Sequence, residues 1–157
     1  MLTVYVEIPT GCRNKYEFDE ELGGLVLDRR LFKSMGYPTD YGFVEGTLAE
    51  DGDPIDALVL VSEATFPGCR IRARAIGVLH MEDEAGNDDK LVCVAVSDGT
   101  YGQLQNVDEI PEQLREELEH FFQAYKTLEG KHTRTFGFGD RATADLLLSE
   151  AKARGDS

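Results

Sequence analysis

Apolar and polar positions alternate through the opening segment, "TVYVEIP": Val4, Val6 and Ile8 fall on one face, Tyr5 and Glu7 on the other. That period of two predicts a half-buried strand. "KYEFD" and "GLVLDR" flank Glu20 to Gly24, which reads as a hairpin turn carrying Gly23 and Gly24. Ile55 to Val61 is a short apolar strand, and "FPGCRIRARAIGVLHM" leaves a Pro67-Gly68 turn as a long one. After a polar loop, "KLVCVAV" supplies another. The spacing then turns helical. Leu114, Leu118, Phe121, Tyr125 and Leu128 recur along one face of a helix with Pro111 in its first turn. Asp140 caps a last helix through "DRATADLLLSEAKAR", with Leu146, Leu147 and Ala151 expected to face inward.

Strands first and helices last predict an α+β fold. Five or six strands with uneven loops suggest a small closed barrel carrying helices on its outside. No repeat, linker or low-complexity tract divides the 157 residues, so residues 1–157 read as a single domain with a real core. No apolar run approaches the ~20 residues a membrane-spanning helix needs. The start lacks the basic and apolar regions of a signal peptide. The expectation is a cytoplasmic protein with no membrane partner. Cys12, Cys69 and Cys93 form no CxxC pair and read as reduced thiols.

Charge changes the picture. The net charge of −14 disfavours nucleic acid and anionic membranes. Arg70, Arg72 and Arg74 share one strand face, but three arginines do not offset that charge and no aromatic residues interleave with them. His80, His120 and His132 show no ligand spacing and read as structural or surface groups. The acids, by contrast, are clustered. "EDGDPIDALVLV" sets Glu50, Asp51, Asp53 and Asp56 at the mouth of an apolar strand, with Gly52 and Pro54 holding the chain out of regular structure. Two carboxylates about 4 Å apart repel by roughly 4 kcal/mol at an effective dielectric of about 20. Oxygen-only ligands suit a hard cation such as Mg²⁺ or Mn²⁺ better than zinc. An EF-hand is excluded, because a loop starting at Asp51 needs Gly at Asp56 and Glu at Ser62.

A second acidic loop, "HMEDEAGNDDK", holds Glu82, Asp83, Glu84, Asp88 and Asp89 and closes on Lys90. Loops at the strand ends of a small barrel converge, so the two could frame one site for more than one ion. Tyr37 and Tyr41 in "MGYPTDYGF" are packing groups whose phenols could also donate to an anion. Lys15 and Arg29, at strand edges, stand where a phosphate clamp would be built.

"DGDPIDALVL" resembles the signature of the family I (soluble) inorganic pyrophosphatases, bacterial type. "EIP", "NKYE", "LDR", "YPTDYGF", "DEAGNDDKL" and "HFFQAYKTLE" resemble that family's other blocks in the same order, from Glu7 to Glu129. The resemblance implies a five-stranded closed barrel, OB-like, with flanking α-helices. It also implies Mg²⁺-dependent hydrolysis of inorganic diphosphate, several Mg²⁺ per site with Mn²⁺ as an alternative, and a homo-oligomer, by analogy a hexamer. By resemblance Asp51, Asp56 and Asp88 ligate the tightly held ions, with Asp56 shared between two. Asp83, with Glu7 and either Glu84 or Glu17, holds ions arriving with substrate. Lys15, Arg29, Tyr41, Tyr125 and Lys126 grip the diphosphate, with Tyr37 and Lys90 close by. Asp53 is the base acting on water, and Asp88 counts with it as a catalytic group. The family commonly carries tryptophan after the Tyr-Lys helix, where this chain has "KHTRTFGFGDR"; Phe136 or Phe138 is expected to fill that space. Two rival readings are a non-catalytic OB-like barrel that binds nucleic acid or another polyanion, and a divalent-ion buffer.

Overall fold

The computed structural model describes residues 1–32 and 34–156. Among the described residues, nine strands and two α-helices run in the order β1 (Leu2–Ile8), β2 (Asn14–Asp19), β3 (Gly24–Arg30), β4 (Asp40–Val44), β5 (Asp56–Leu60), β6 (Arg70–Asp83), β7 (Gly86–Asn87), β8 (Lys90–Ala95), α1 (Glu112–Ala124), β9 (Arg134–Gly139) and α2 (Arg141–Gly155). β1 pairs antiparallel with both β4 and β6, β4 with β5, and β6 with β8, while β5 and β8 run parallel. Those pairings close a ring of five strands, β1-β4-β5-β8-β6. β2 and β3 form a separate hairpin, and β9 adds to β6 outside the ring.

The burial pattern follows the alternation. Val4, Val6 and Ile8 are fully buried while Tyr5 and Glu7 are half-buried. β5 and β8 are buried on both faces, as a parallel pair requires. Each ring strand contributes to one apolar cluster, among them Val6, Val44, Val59, Ala75 and Cys93, which Ala144 and Ala151 of α2 close. A second cluster packs Leu58, Ile76, Leu79 and Val92 under Leu118, Phe121 and Phe122 of α1.

Two strands escape the sequence pattern. β4 lies within "YPTDYGFV" and is too short to show a period. Its Gly42 is dictated by packing, since a Cβ there would sit 1.8 Å from the Tyr5 carbonyl oxygen. β9 carries Phe138, half-buried against the core, and Phe136, which is 55% exposed. Two helical expectations also change. Leu128 falls past the end of α1 in a 3₁₀ turn (Thr127–Glu129) and is exposed. In α2 the small residues Ala144 and Ala151 face inward, whereas Leu146 is 61% exposed. Close approach of the helix to the ring selects alanine over leucine at the contact: Gly155 packs so near the Gly46 carbonyl oxygen that a Cβ would stand 2.4 Å from it.

Candidate active site

The aspartate turn is built by local hydrogen bonds. Gly52 adopts φ +89°, a left-handed conformation that favours glycine. The Asp53 amide donates to Asp51 Oδ1 at 2.9 Å, and the Ala49 amide donates to the Asp53 carbonyl at 2.7 Å. Thr47, buried, accepts from the Ile55 amide and donates to the Val44 carbonyl, closing the base of the loop. α2 braces it from outside: the Leu48 amide donates to the Ala151 carbonyl, and Arg154 donates to the Leu48 carbonyl.

The second acidic loop is a tight hairpin. β6 runs on to Asp83, turns through Glu84-Ala85, and returns as β7. Asp83 Oδ1 accepts from the Ala85 amide, and Asp89 Oδ1 accepts from the Met81 amide while Asp89 Oδ2 meets His80. Asp88 and Lys90 are thereby aimed from the same short segment.

Both acidic turns open into one cavity of about 1050 Å³. Glu7, Asp51, Asp53, Asp56, Asp83 and Asp88 all line it, and so do Lys15, Tyr41, Lys90, Tyr125 and Lys126. Arg29 and Tyr37 do not line it, and neither does Glu84, which lies 3.7 Å from Lys126. A smaller cavity of about 680 Å³ between residues 32–38 and α1 contains none of these groups.

Electrostatically the cavity is short of positive charge. Burial, with Asp56 and Glu17 nearby, pushes the Glu7 carboxyl up to about 7. Burial also raises Asp88, helped by Asp56 and Asp83 and opposed by Lys90. Asp53 is raised by desolvation first and then by Asp51 and Asp56. The cations present are already engaged. Lys90, 1% exposed, lies 2.9 Å from Asp56 Oδ2 and 2.9 Å from Asp88 Oδ2, with its ammonium over the Tyr41 and Phe122 rings. Burial alone would depress Lys90, but Asp56, Tyr41 and Asp88 more than offset it and keep the ammonium charged. Lys15 pairs with Glu17 and Asp28, and Lys126 with Asp83 and Glu84.

Among the described residues, no three His, Cys, Asp or Glu side chains stand close enough to hold a metal ion as they are. The donor set nevertheless fits hard cations. It is all oxygen, it gathers at least six carboxylates at one cavity, and several of those carboxylates are held above their ordinary range by burial first and then by one another.

A family model for inorganic pyrophosphatase matches residues 4–155. The chain belongs to the inorganic pyrophosphatase family. It is 53% identical to the inorganic pyrophosphatase of Streptomyces coelicolor over 152 residues, covering 96% of this chain and 93% of that protein. It is 50% identical to that of Corynebacterium glutamicum over 151 residues, covering 96% and 95%. Among solved structures, the inorganic pyrophosphatase of Thermus thermophilus superposes with a TM-score of 0.95 at 40% identity, covering 99% of this chain and 91% of that one. The ring of five strands with two helices is thus the architecture of a pyrophosphatase-family domain.

Three groups around this family site escaped the sequence reading. Asp28 immediately precedes Arg29 and accepts hydrogen bonds from both Arg29 and Lys15. Glu129 accepts from Arg29 Nε at 2.7 Å across 100 residues of chain. Asp40, fully buried, accepts from the amides and hydroxyls of Thr10 and Thr65. Asp28 and Asp40 stand inside the segments "LDR" and "YPTDYGF", yet Lys15, Thr10 and Thr65 lie 13, 30 and 25 residues from them and no local spacing discloses those pairings. Two of the three stripe arginines are engaged within the chain: Arg70 pairs with Glu45, and Arg74 donates to the Gly102 and Leu104 carbonyls.

Proposed function

We propose that this chain hydrolyses inorganic diphosphate to two orthophosphates, using several magnesium ions per site, with manganese as an alternative. The observation that supports this most is the convergence of both acidic turns, two tyrosines and three lysines on one cavity in a member of this family. Asp51, Asp56 and Asp88 would hold the tightly bound ions, with Asp56 shared. Asp83 and Glu7, with Glu84 or Glu17, would hold those that arrive with substrate. Bound hard cations supply Lewis acidity toward water and phosphoryl oxygens.

Asp53 is the base. A water oxygen forms a bond to one phosphorus as the bridging P–O bond breaks, and the proton released passes to the Asp53 carboxylate. Its position at the cavity and its raised proton affinity suit that task. Lys15, Arg29 and Lys126 bind and neutralise phosphoryl oxygens, the requirement that dominates phosphoryl transfer. Tyr41 and Tyr125 stay protonated: burial raises both phenols, Tyr125 to about 12, so each remains a hydrogen-bond donor at neutral pH. Tyr37, behind them and also raised by burial, has a buried hydroxyl without a partner. Lys90 bridges Asp56 and Asp88.

Colorimetric phosphate release from diphosphate, with and without magnesium, tests the reading. Release that requires magnesium and falls at least about 100-fold in Asp53→Asn is expected, since a general base contributes roughly 10²–10⁴-fold. Release unchanged in Asp53→Asn would remove that residue as the base. By family resemblance the chain acts as a cytoplasmic homohexamer, and exposed Phe66, Leu128, Phe136 and Leu146 supply apolar surface for assembly. Light scattering on the purified protein would measure the stoichiometry.

A further inference from the structure

The guanidinium of Arg29 is held at two of its three nitrogens. Nε donates to Glu129 Oε2 at 2.7 Å, and Nη1 donates to Asp28 Oδ2. Nη2 is buried and has no hydrogen-bond partner. A guanidinium is planar, with five donors in a fixed fork. Anchors on two different nitrogens therefore fix both the plane of the group and its rotation within that plane. A pair that served stability alone would leave no reason to bury the third nitrogen unsatisfied, because an unpaired buried donor weakens the fold.

We infer that Glu129 and Asp28 are positioning residues for Arg29, which does not itself line the cavity: they tie back two corners of its guanidinium and leave the buried Nη2 as the donor that a phosphoryl oxygen of an incoming substrate would reach. The inference rests on the diphosphate reading above and adds two residues to it. The anchors differ in reach. Asp28 is the neighbouring residue on β3, and its Oδ2 also accepts from Lys15 Nζ at 3.0 Å, so one carboxylate oxygen gathers Lys15 of β2 and Arg29 of β3. Glu129 belongs to the 3₁₀ turn that follows Lys126. Its contact fixes Arg29 relative to Tyr125 and Lys126, the anion-binding pair that the fold brings from the far end of the chain. Buried polar atoms without partners also occur at the Tyr37 hydroxyl, Thr39 Oγ1 and Arg115 Nε.

Steady-state kinetics with magnesium diphosphate on the full chain test this, together with thermal unfolding of each variant. Glu129→Ala is expected to raise KM about tenfold while kcat changes less than about threefold, the split that follows loss of substrate positioning. Glu129→Gln keeps an acceptor oxygen with the same shape and is expected to recover most of the KM. In an Arg29→Ala background, Glu129→Ala is expected to add no further rise, because its effect passes through the guanidinium. An unchanged KM in Glu129→Ala would overturn the inference, whatever the thermal midpoint does. So would an equal rise in KM with Arg29 absent, which would reveal a merely structural role. A wild-type chain that releases no phosphate would overturn the diphosphate reading itself, and that result is read before any variant is compared.

Discussion

Lys90→Met removes one charge from the centre of the carboxylate cavity while leaving an unbranched apolar stem between the Tyr41 and Phe122 rings. The two oxygens it bridges are each 2.9 Å from one nitrogen and so no more than about 5.8 Å apart, where two negative charges repel by about 3 kcal/mol at an effective dielectric of ~20. Loss of the ammonium also breaks two charge-assisted hydrogen bonds, and opening a buried ion pair on one side costs about 3–5 kcal/mol. Asp56 and Asp88 keep 32% and 23% of their side-chain surface exposed, so water offsets part of that loss. A net destabilisation of about 3 kcal/mol is expected, which for a chain of this size lowers the melting temperature by roughly 6–12 °C. The assay is thermal unfolding by circular dichroism at pH 8 in chelator. Saturating magnesium should close most of the gap, because a bound cation replaces the missing charge. A melting temperature within about 2 °C of wild type in chelator would refute the claim that Lys90 holds these carboxylates together.

Glu7 makes the metal-free protein sensitive to pH. Its carboxyl titrates near 4.5 when solvated and near 7 in the fold. The folded chain therefore retains a proton that the unfolded chain has lost, and stability declines as pH rises from 4.5 to 7, by about 1.4 kcal/mol per unit or about 3 kcal/mol in all. Denaturant titrations in chelator should show that decline in wild type and its absence in Glu7→Gln; equal pH slopes would contradict it. Asp40→Ala strips acceptors from Thr10 and Thr65 at a fully buried position. Leaving buried donors unsatisfied costs about 1–3 kcal/mol each, so a loss of about 3 kcal/mol with an unchanged m-value is expected from urea unfolding. A loss below about 0.5 kcal/mol would rule out a stapling role.

The strands that alternate cleanly were legible because each has one wet face: β1 is the clearest case, with Val4, Val6 and Ile8 buried against half-exposed Tyr5 and Glu7. β4 was not legible because Gly42 interrupts its five residues, and the reason for that glycine is a backbone on another strand. Leu146 misled because the helix contact selects for small side chains, a property of the surface it meets. At the site, Asp51, Asp53 and Asp56 stood out from their crowding alone, and all three line one cavity. The pairing of Lys90 with Asp56 and of Glu129 with Arg29 spans 34 and 100 residues and becomes visible only when the ring closes.

The central claim is that hard cations enter this one cavity through carboxylate oxygens. Anomalous scattering from crystals equilibrated with manganese tests it most directly, because the ion reports its own position. The account predicts strong peaks bonded to Asp56 and shared with Asp51, Asp88 or Asp83. Peaks confined to the outer surface, or a cavity in which Lys90 still bridges Asp56 and Asp88 with no metal beside them at saturating manganese, would contradict it.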